Sequence, residues 1–338
     1  MRYADEATKC PACASAHIVV LDVFPIVRDF KGRRLSFLTG CEDCGLLFAN
    51  PLRTQEEAER YYAEDGPWAA SRAERISQLK ARQLKQLHRG STKSKPPRLG
   101  AEAQLLLDAL APYVPVFQPP QAAKVLDYGC GRGVHLNWLQ DLGWDTYGLE
   151  PSTDVAFVRH HRVNSAPQDH SFDFGLLHHV LEHVTDPVGI LEQLGGALRE
   201  GGVLYISVPA LDTLPRHGRI KYCLDGRKHV MCFSETCLTG LLARAGFATL
   251  GRIEIKELDD RTLAQGRPLR LRLVAKRTST PPALPARPLL PALRALAAYS
   301  RGHESSAARA QRLLPVRFRA ALMDRARVRE SLRRRKSQ

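Results

Sequence analysis

The stretch Val125–Glu150, VLDYGCGRGVHLNWLQDLGWDTYGLE, constrains this chain more than any other. It opens on a short apolar run, Lys124-Val125-Leu126-Asp127-Tyr128, bounded by glycine, which reads as a buried parallel strand. Gly129, Gly131 and Gly133 alternate with Cys130 and Arg132, and Leu136, Leu139 and Leu142 then follow a helical spacing. Gly143 stops the helix, and a second strand, Trp144–Leu149, ends on the acidic Glu150. Strand, glycine turn, helix and acid-ended strand make a βαβ unit fit for a nucleotide-like cofactor. Glycines admit backbone close to a ligand, and a carboxylate about 20 residues on accepts from ribose hydroxyls.

The glycine spacing separates the ligands. Dinucleotide turns follow G-x-G-x-x-G, with the third glycine serving helix–strand packing beneath a pyrophosphate. Here the order is acid-x-G-x-G-x-G, headed by Asp127. This resembles motif I of the class I S-adenosylmethionine (SAM) methyltransferases, whose ligand carries a methionine tail. A nicotinamide dinucleotide, or a glycine turn with no ligand, are the alternatives that the triplet alone leaves. The resemblance implies that Gly129, Gly131 and Gly133 bring backbone against the methionine portion, and that Asp127 faces its ammonium group directly or through water. It implies that Glu150 takes the ribose hydroxyls, with Pro151 and Ser152 flanking the adenine, and that the backbone at Leu177 and His178 accepts from the methionine amine. A capping carboxylate is the other reading of Asp127, and a solvated strand end that of Glu150.

A second stretch matches independently. Ser171–Leu177 reads as a strand, followed by His178-His179-Val180-Leu181-Glu182-His183-Val184, Asp186-Pro187, a helix over Val188–Leu198, Gly201-Gly202, and a strand Val203–Val208 stopped by Pro209. Motif by motif this resembles the same methyltransferases. Ser234–Ala245 reads as a helix ending at Gly246-Phe247, and two strands, Thr249–Glu257 and Leu269–Ala275, as the closing antiparallel hairpin. The segment from His229 to Phe247 resembles SAM methyltransferases that carry an N-terminal zinc-binding segment. The likeness covers roughly Cys10–Ala275. It implies an α/β fold, a Rossmann-like seven-stranded methyltransferase sheet with an N-terminal zinc ribbon; it does not explain Thr278–Gln338, which reads as a basic helical C-terminal extension. One departure stands out: only 21 residues separate Glu150 from Phe172. Ser152 caps a helix over Asp154–His161 there, and the third strand shrinks to about Arg162-Val163-Asn164. Asn164, Gln168 and Asp169 are the candidates for contacting adenine.

Methyl transfer needs alignment of nucleophile, carbon and sulfur, and an oxygen nucleophile also needs a base, a task suited to histidine. The candidates are His179, His183 and His229. His179, Glu182 and His183 stand at i, i+3, i+4, one face of a helix, and two histidines with one carboxylate could also hold a metal. Ubiquinone-type O-methyltransferases look similar here, with an acid where this chain has His179 and with Glu-His at Glu182-His183. Orientation of substrate and a purely structural helix start are the other readings. His229, Cys232 and Cys237 could suggest another metal site, but their spacing is irregular with three ligands visible, and the two cysteines read as buried side chains.

Cys10-Pro-Ala-Cys13 and Cys41-Glu-Asp-Cys44 form two C-x2-C knuckles with 27 residues between them. Paired knuckles present four thiolates to one tetrahedral zinc, a structural Zn2+ because all four positions are taken. Disulfides and a redox pair are the competing uses. Ile18–Phe24 and Leu35–Leu38 alternate as a small hairpin between the knuckles, and zinc supplies folding energy to a segment too small for its own core.

The boundaries that follow are 1–50 for the zinc-ribbon segment, 51–100 for a helical connector and basic linker, 101–277 for the methyltransferase domain, and 278–338 for a Pro-rich linker and basic helical tail. Thr54 with Glu57 three residues on forms a capping box, helices follow over Ala69–His88 and Ala101–Tyr113, and Gly90–Gly100 is a polar linker. The formal charge of +15 is uneven: Arg72–Arg98 carries +8 and Thr278–Gln338 carries +11, which leaves the body mildly acidic. These extensions fit phosphate groups of RNA, an anionic membrane surface or a phosphorylated substrate, or are simply solvated faces. No run of 18 apolar residues and no apolar N-terminal signal is present, so a cytoplasmic setting without a transmembrane segment is expected.

The reading is therefore SAM-dependent methyl transfer to a small-molecule or sugar acceptor. Its alternatives are an RNA methyltransferase using the basic extensions and a non-catalytic scaffold on a degenerate methyltransferase fold. Against RNA, the fourth strand ends in Leu-Leu-His-His and lacks the Asn/Asp-Pro-Pro-Tyr of base N-methylation. Oligomeric state is not written in the sequence.

Overall fold

A computed structural model describes residues 7–28, 33–62, 101–150, 160–211, 223–224, 226, 228–264, 269–280 and 282. The Ala69–His88 helix, the 90–100 linker up to Gly100, Pro151, Ser152 and most of the basic tail lie outside those residues, as does most of the Asp154–His161 helix. Its last two positions are described and are not helical: His160 lies in a bend and His161 starts a strand.

The elements run β1 (Ile18–Arg28), β2 (Arg33–Cys41), β3 (Leu47–Asn50), α1 (Gln55–Tyr62), α2 (Ala101–Leu110), β4 (Lys124–Tyr128), α3 (Val134–Asp141), β5 (Asp145–Leu149), β6 (His161–Val163), β7 (Phe172–His178), a 3-10 turn (Leu181–His183), α4 (Pro187–Ala197), β8 (Leu198–Pro209), β9 (Met231–Cys232), α5 (Glu235–Arg244), β10 (Phe247–Arg252), α6 (Lys256–Ala264) and β11 (Arg270–Arg277). Seven strands form one sheet in the order β10-β11-β8-β7-β4-β5-β6. β5, β6, β7 and β8 run parallel with β4, and β11 alone enters antiparallel to both its neighbours. The connection order reverses at β4, which lies between β5 and β7. In an open α/β sheet the ligand crevice opens at that point, above the C-terminal strand ends.

The central strands bury short apolar runs, Val125-Leu126 in β4, Leu176-Leu177 in β7 and Leu204-Tyr205-Ile206 in β8, because helices cover both faces. On one face Leu126, Leu177, Leu204, Ile206 and Val208 pack with α4 and α5. On the other Val125, Phe174, Leu176, Tyr205 and Val274 pack with α2, α3 and α6. Helix starts follow the capping rules. The Asp186 side chain accepts from Gly189 N–H ahead of Pro187, and Ser234 accepts from Cys237 N–H. Thr54 and Glu57 exchange bonds reciprocally at α1: Glu57 N–H to Thr54 Oγ1 at 3.1 Å and Thr54 N–H to Glu57 Oε2 at 2.7 Å.

Two expectations change. The strand expected over Thr249–Glu257 stops at Arg252, and Lys256–Ala264 forms α6. Ile253 and Ile255 are buried together with Leu258 of that helix, an alternation that mimics a strand. His179, Glu182 and His183 do not share a helix face, because only Leu181–His183 is helical, as a 3-10 turn, and His179 precedes it at φ 58°.

The N-terminal segment joins the body through backbone and core. β3 pairs antiparallel with β9, so a second sheet runs β1-β2-β3-β9. Cys10, Cys41, Leu46 and Phe48 belong to the same buried cluster as Phe233, Cys237 and Leu238. Burying each large side chain there contributes about 1.5–3 kcal/mol.

Candidate functional site

β4 delivers Asp127 to the crevice with its side chain buried and its Oδ2 accepting no hydrogen bond. His135 Nδ1 lies 3.7 Å from that oxygen, on the first turn of α3. Gly129, Gly131 and Gly133 follow at φ 75°, 56° and 68°. At Gly129 glycine is compulsory twice over: φ is positive, and a Cβ would lie 2.6 Å from Val180 Cγ2. At Gly131 a Cβ would meet nothing within 4 Å, so the backbone here borders open space. Such a turn leaves room for a ligand against bare peptide. Gly129 and Cys130 N–H both donate to Leu149 O, and Gly131 N–H donates to Glu150 Oε2 at 2.9 Å. The acid at the end of β5 thus sits at the lip of the glycine turn.

β7 ends beside β4. Leu177 is buried, and His178 turns its ring into a row of imidazoles, with ring centres 4.7 Å from His135 on one side and 4.7 Å from His179 on the other. His178 Nδ1 is buried without a hydrogen bond. Burial, then the neighbouring charges of His179 and His135, hold its pKa well below 6.5, so the ring stays neutral at pH 7.

His179 leaves the strand in the left-handed region, uncommon for a residue with a side chain. Its N–H donates to Ser207 O at 2.8 Å, which fixes the turn. Its Nδ1 lies 2.7 Å from Glu182 Oε1. Glu182 is fully buried, and His183 Nε2 stands 3.8 Å from the same oxygen. Burial alone would raise the Glu182 pKa, but His179, His183 and His229 around it bring it down to about 2. His183 is itself pushed down to about 4 by burial, against the opposing pull of Glu182. Its ring centre is 4.7 Å from His229 and 6.2 Å from Tyr62 of α1.

The structure therefore gathers Asp127, the three glycines, Glu150, Leu177, His178 and His179 along one edge. His179, His183 and His229 converge on Glu182. It separates His229 from Cys232 and Cys237. Cys232 is buried with Leu47 and Cys223, and Cys237 Sγ lies 3.8 Å from Cys44 Sγ. His135, Arg53 and Tyr62 were not singled out from sequence as site residues. Arg53 reaches 2.9 Å to Lys228 O, next to His229, and lies over the Tyr61 ring. His135 lies just after the glycine turn, whereas Arg53 and Tyr62 come in only through contacts distant in sequence, to Lys228 O and to His183.

Cys10, Cys13, Cys41 and Cys44 form a separate group, with all four sulfurs within 4.8 Å of one another. Cys10–Cys44 is 3.6 Å and Cys13–Cys41 is 3.5 Å. Those separations suit four thiolates about 2.3 Å from a common tetrahedral ion.

With this geometry in place, comparison with known proteins is decisive for one segment. Residues 98–250 match the family model described as a methyltransferase domain. That segment is a methyltransferase domain. Over 111 residues the chain is 31% identical to the ubiquinone biosynthesis O-methyltransferase of Xanthomonas axonopodis pv. citri (strain 306), covering 28% of this chain and 46% of that protein. The same-named protein of Hydrogenovibrio crunogenus is 26% identical over 111 residues. The chain thus spans about half the length of the curated relatives it matches. Among solved structures, a SAM-dependent methyltransferase from Mesorhizobium loti is 21% identical with a TM-score of 0.39, covering 51% of this chain and 100% of that one. The Burkholderia thailandensis 1,6-didemethyltoxoflavin-N1-methyltransferase, solved with bound 1,6-didemethyltoxoflavin and S-adenosylhomocysteine, is 16% identical at a TM-score of 0.42, covering 76% of this chain and 100% of that one. The matched residues take in β4, β5, β6, β7 and β8 of the seven-stranded sheet, end inside β10 and stop short of β11. Among the described residues no helix is long and apolar enough to cross a membrane.

Proposed function

We propose that the protein transfers the methyl group of SAM to an oxygen of a small-molecule acceptor, with His179 as the base. The observation that carries the donor is Asp127 Oδ2, a buried carboxylate oxygen with no hydrogen bond, beside a glycine turn that opens on empty space. A buried carboxylate oxygen left without a donor is costly, and the ammonium group of a methionine tail would satisfy it. Gly129, Gly131 and Gly133 would lie along that tail, Glu150 would take the ribose hydroxyls, and Pro151 and Ser152 would flank the adenine. SAM, when bound, supplies an electrophilic methyl group on a sulfonium.

The residues around the crevice do the rest. The Glu182 carboxylate accepts from His179 Nδ1–H, which leaves Nε2 as the basic nitrogen. His179 sits in the left-handed region while Ser207 O holds its backbone. A hydroxyl delivered to Nε2 gives up its proton there, and Glu182 stabilises the imidazolium that results. His183, with its low pKa, is a poorer base, and His229 stands on its far side. Tyr62 and Arg53 bring the N-terminal segment to the acceptor side. O-methylation also accords with the activity named for the relatives. Cys10, Cys13, Cys41 and Cys44 are read as ligands of a structural zinc that fastens this segment to the body.

Calorimetry on the full chain with SAM and S-adenosylhomocysteine tests the reading. Both should bind, and Asp127→Ala should abolish binding while the fold persists. No heat at millimolar SAM would overturn it in favour of a scaffold.

A further inference from the structure

We infer that Ser207 and Tyr205 of β8, with His178 of β7 beside them and Arg270 of β11 at the rim, form a subsite for a carboxylate carried by the acceptor. Neither the donor pocket nor the base uses these two hydroxyls.

The register builds the row. β7, β8 and β11 are neighbours in the sheet; His178 stands opposite Ser207, and Ser207 opposite Arg272. Side chains two apart along a strand share a face. Tyr205 therefore joins Ser207, and Arg270 joins Arg272, on the face where Tyr205 packs with Leu258 of α6. His178 is the last residue of β7 and Ser207 comes two before the end of β8, so the row lies at the C-terminal strand ends where the crevice opens.

Its polar atoms have no partners. Tyr205 and Ser207 are 0% exposed, and Tyr205 Oη, Ser207 Oγ and His178 Nδ1 are all buried without a hydrogen bond. The His178 and Tyr205 rings stack with centres 6.1 Å apart. Buried polar atoms nearly always find a partner, so three orphans on two adjacent strands call for a ligand that supplies one.

The surroundings select an anion. Burial raises the Tyr205 pKa, while Arg272, Ser207 and Arg270 oppose it; both arginines also act on His178, after burial and the neighbouring histidines. The row thus lies in the field of two guanidinium groups. Asp259 holds Arg272, but Arg270 meets Glu102 at 3.5 Å with both side chains partly in solvent, a pair of small worth that a ligand can displace. Hydroxyl hydrogens rotate, so Ser207 and Tyr205 can both donate to one group that only accepts. A carboxylate is such a group, and its single charge matches one arginine.

The carboxylate of SAM itself does not reach this row. It shares a carbon with the ammonium group assigned to Asp127 on β4, and β8 lies two strands from β4, about 10 Å away. Resting on the methyl-transfer reading, the carboxylate belongs to the acceptor, a hydroxy acid. His179 is next to the row, its ring centre 4.7 Å from that of His178.

The test uses the full chain, with and without S-adenosylhomocysteine, and calorimetry with benzoate and its neutral match benzamide. Benzoate should bind at millimolar concentration and benzamide at least ~10-fold more weakly, the loss expected when hydrogen bonds to a charged group go. Ser207→Ala and Arg270→Gln should each weaken benzoate by about 10-fold and leave S-adenosylhomocysteine affinity unchanged. Thermal melting gives a readout that a structural role would move the other way. A hydroxyl without a partner adds nothing to the fold, so Ser207→Ala and Tyr205→Phe should melt no lower than the wild type. Lower melting with benzoate affinity intact would make the row a structural network. Equal binding of benzoate and benzamide, or no benzoate bound at millimolar concentration, would overturn the site. Benzoate needs no methyl donor, so the S-adenosylhomocysteine titrations keep this failure apart from failure of the methyl-transfer reading.

Discussion

His179 Nδ1 lies 2.7 Å from Glu182 Oε1, and that single contact joins a left-handed residue at the end of β7 to a carboxylate wholly removed from solvent. The pairing sets the tautomer and the direction of the imidazole together. His179→Ala should therefore lower kcat by about 10²–10⁴-fold, the range for a general base, while SAM affinity stays within about twofold. Single-turnover kinetics with calorimetry on the same variant separate the two. A parallel loss of SAM affinity would make His179 a support of the donor pocket instead of a base.

The sequence made some of this visible and hid the rest, for identifiable reasons. β4 and β7 were legible from short buried apolar runs, β5 from its place between Gly143 and the acidic Glu150, and the Thr54–Glu57 capping box because its bonds are local. α6 was not, because Ile253, Ile255 and Leu258 bury themselves from an extended lead-in and a polar helix. The spacing of His179, Glu182 and His183 suggested a shared helix face, which the structure does not contain. Their convergence comes from φ 58° at His179 and a 3-10 turn. That Glu182 is buried, and that His229 reaches it, depends on the Val230–Glu182 backbone bond, which no local pattern announces.

Zinc removal should be felt well beyond the first fifty residues. Arg244 of α5 donates to Cys13 O at 3.2 Å, and the cluster holding Cys10 and Cys41 also holds Phe233 and Leu238. Chelation is expected to release about one zinc per chain and to lower the melting temperature of the whole body, since binding energy at such sites is folding energy. A chromogenic zinc assay beside near-ultraviolet circular dichroism would read both. Cys237→Ser should keep the zinc although Cys237 Sγ is 3.8 Å from Cys44; loss of zinc there would make Cys237 a ligand.

Acid should destabilise the crevice through His178. Its folded pKa lies well below 6.5, mainly through burial, so the unfolded chain takes up a proton that the folded one refuses. The contribution is complete above pH 6.5 and declines as pH falls below it, by up to about 1.4 kcal/mol per pH unit. Urea melts from pH 8 to pH 5 should show this slope in the wild type and a shallower one in His178→Gln. Equal slopes would assign the acid sensitivity elsewhere.

The last prediction concerns what holds the sheet edge behind the site. Arg272 on β11 is 1% exposed, and its guanidinium donates to both oxygens of Asp259 on α6, at 3.0 and 3.3 Å from Nη1 and 3.0 Å from Nη2. β11 pairs with β8 so that Arg272 stands opposite Ser207, the residue whose carbonyl secures the His179 backbone. Removing one member of a buried pair strands the other charge, so Asp259→Ala should cost about 3–5 kcal/mol in urea unfolding. Replacing both, Arg272→Met with Asp259→Leu, should recover most of that, because an apolar pair needs no compensation for lost water. A loss below about 1 kcal/mol in Asp259→Ala would mean that solvent reaches the guanidinium when α6 yields. If the double variant regains stability yet loses turnover, the ion pair holds β8, and through Ser207 the turn at His179, more exactingly than the fold itself requires.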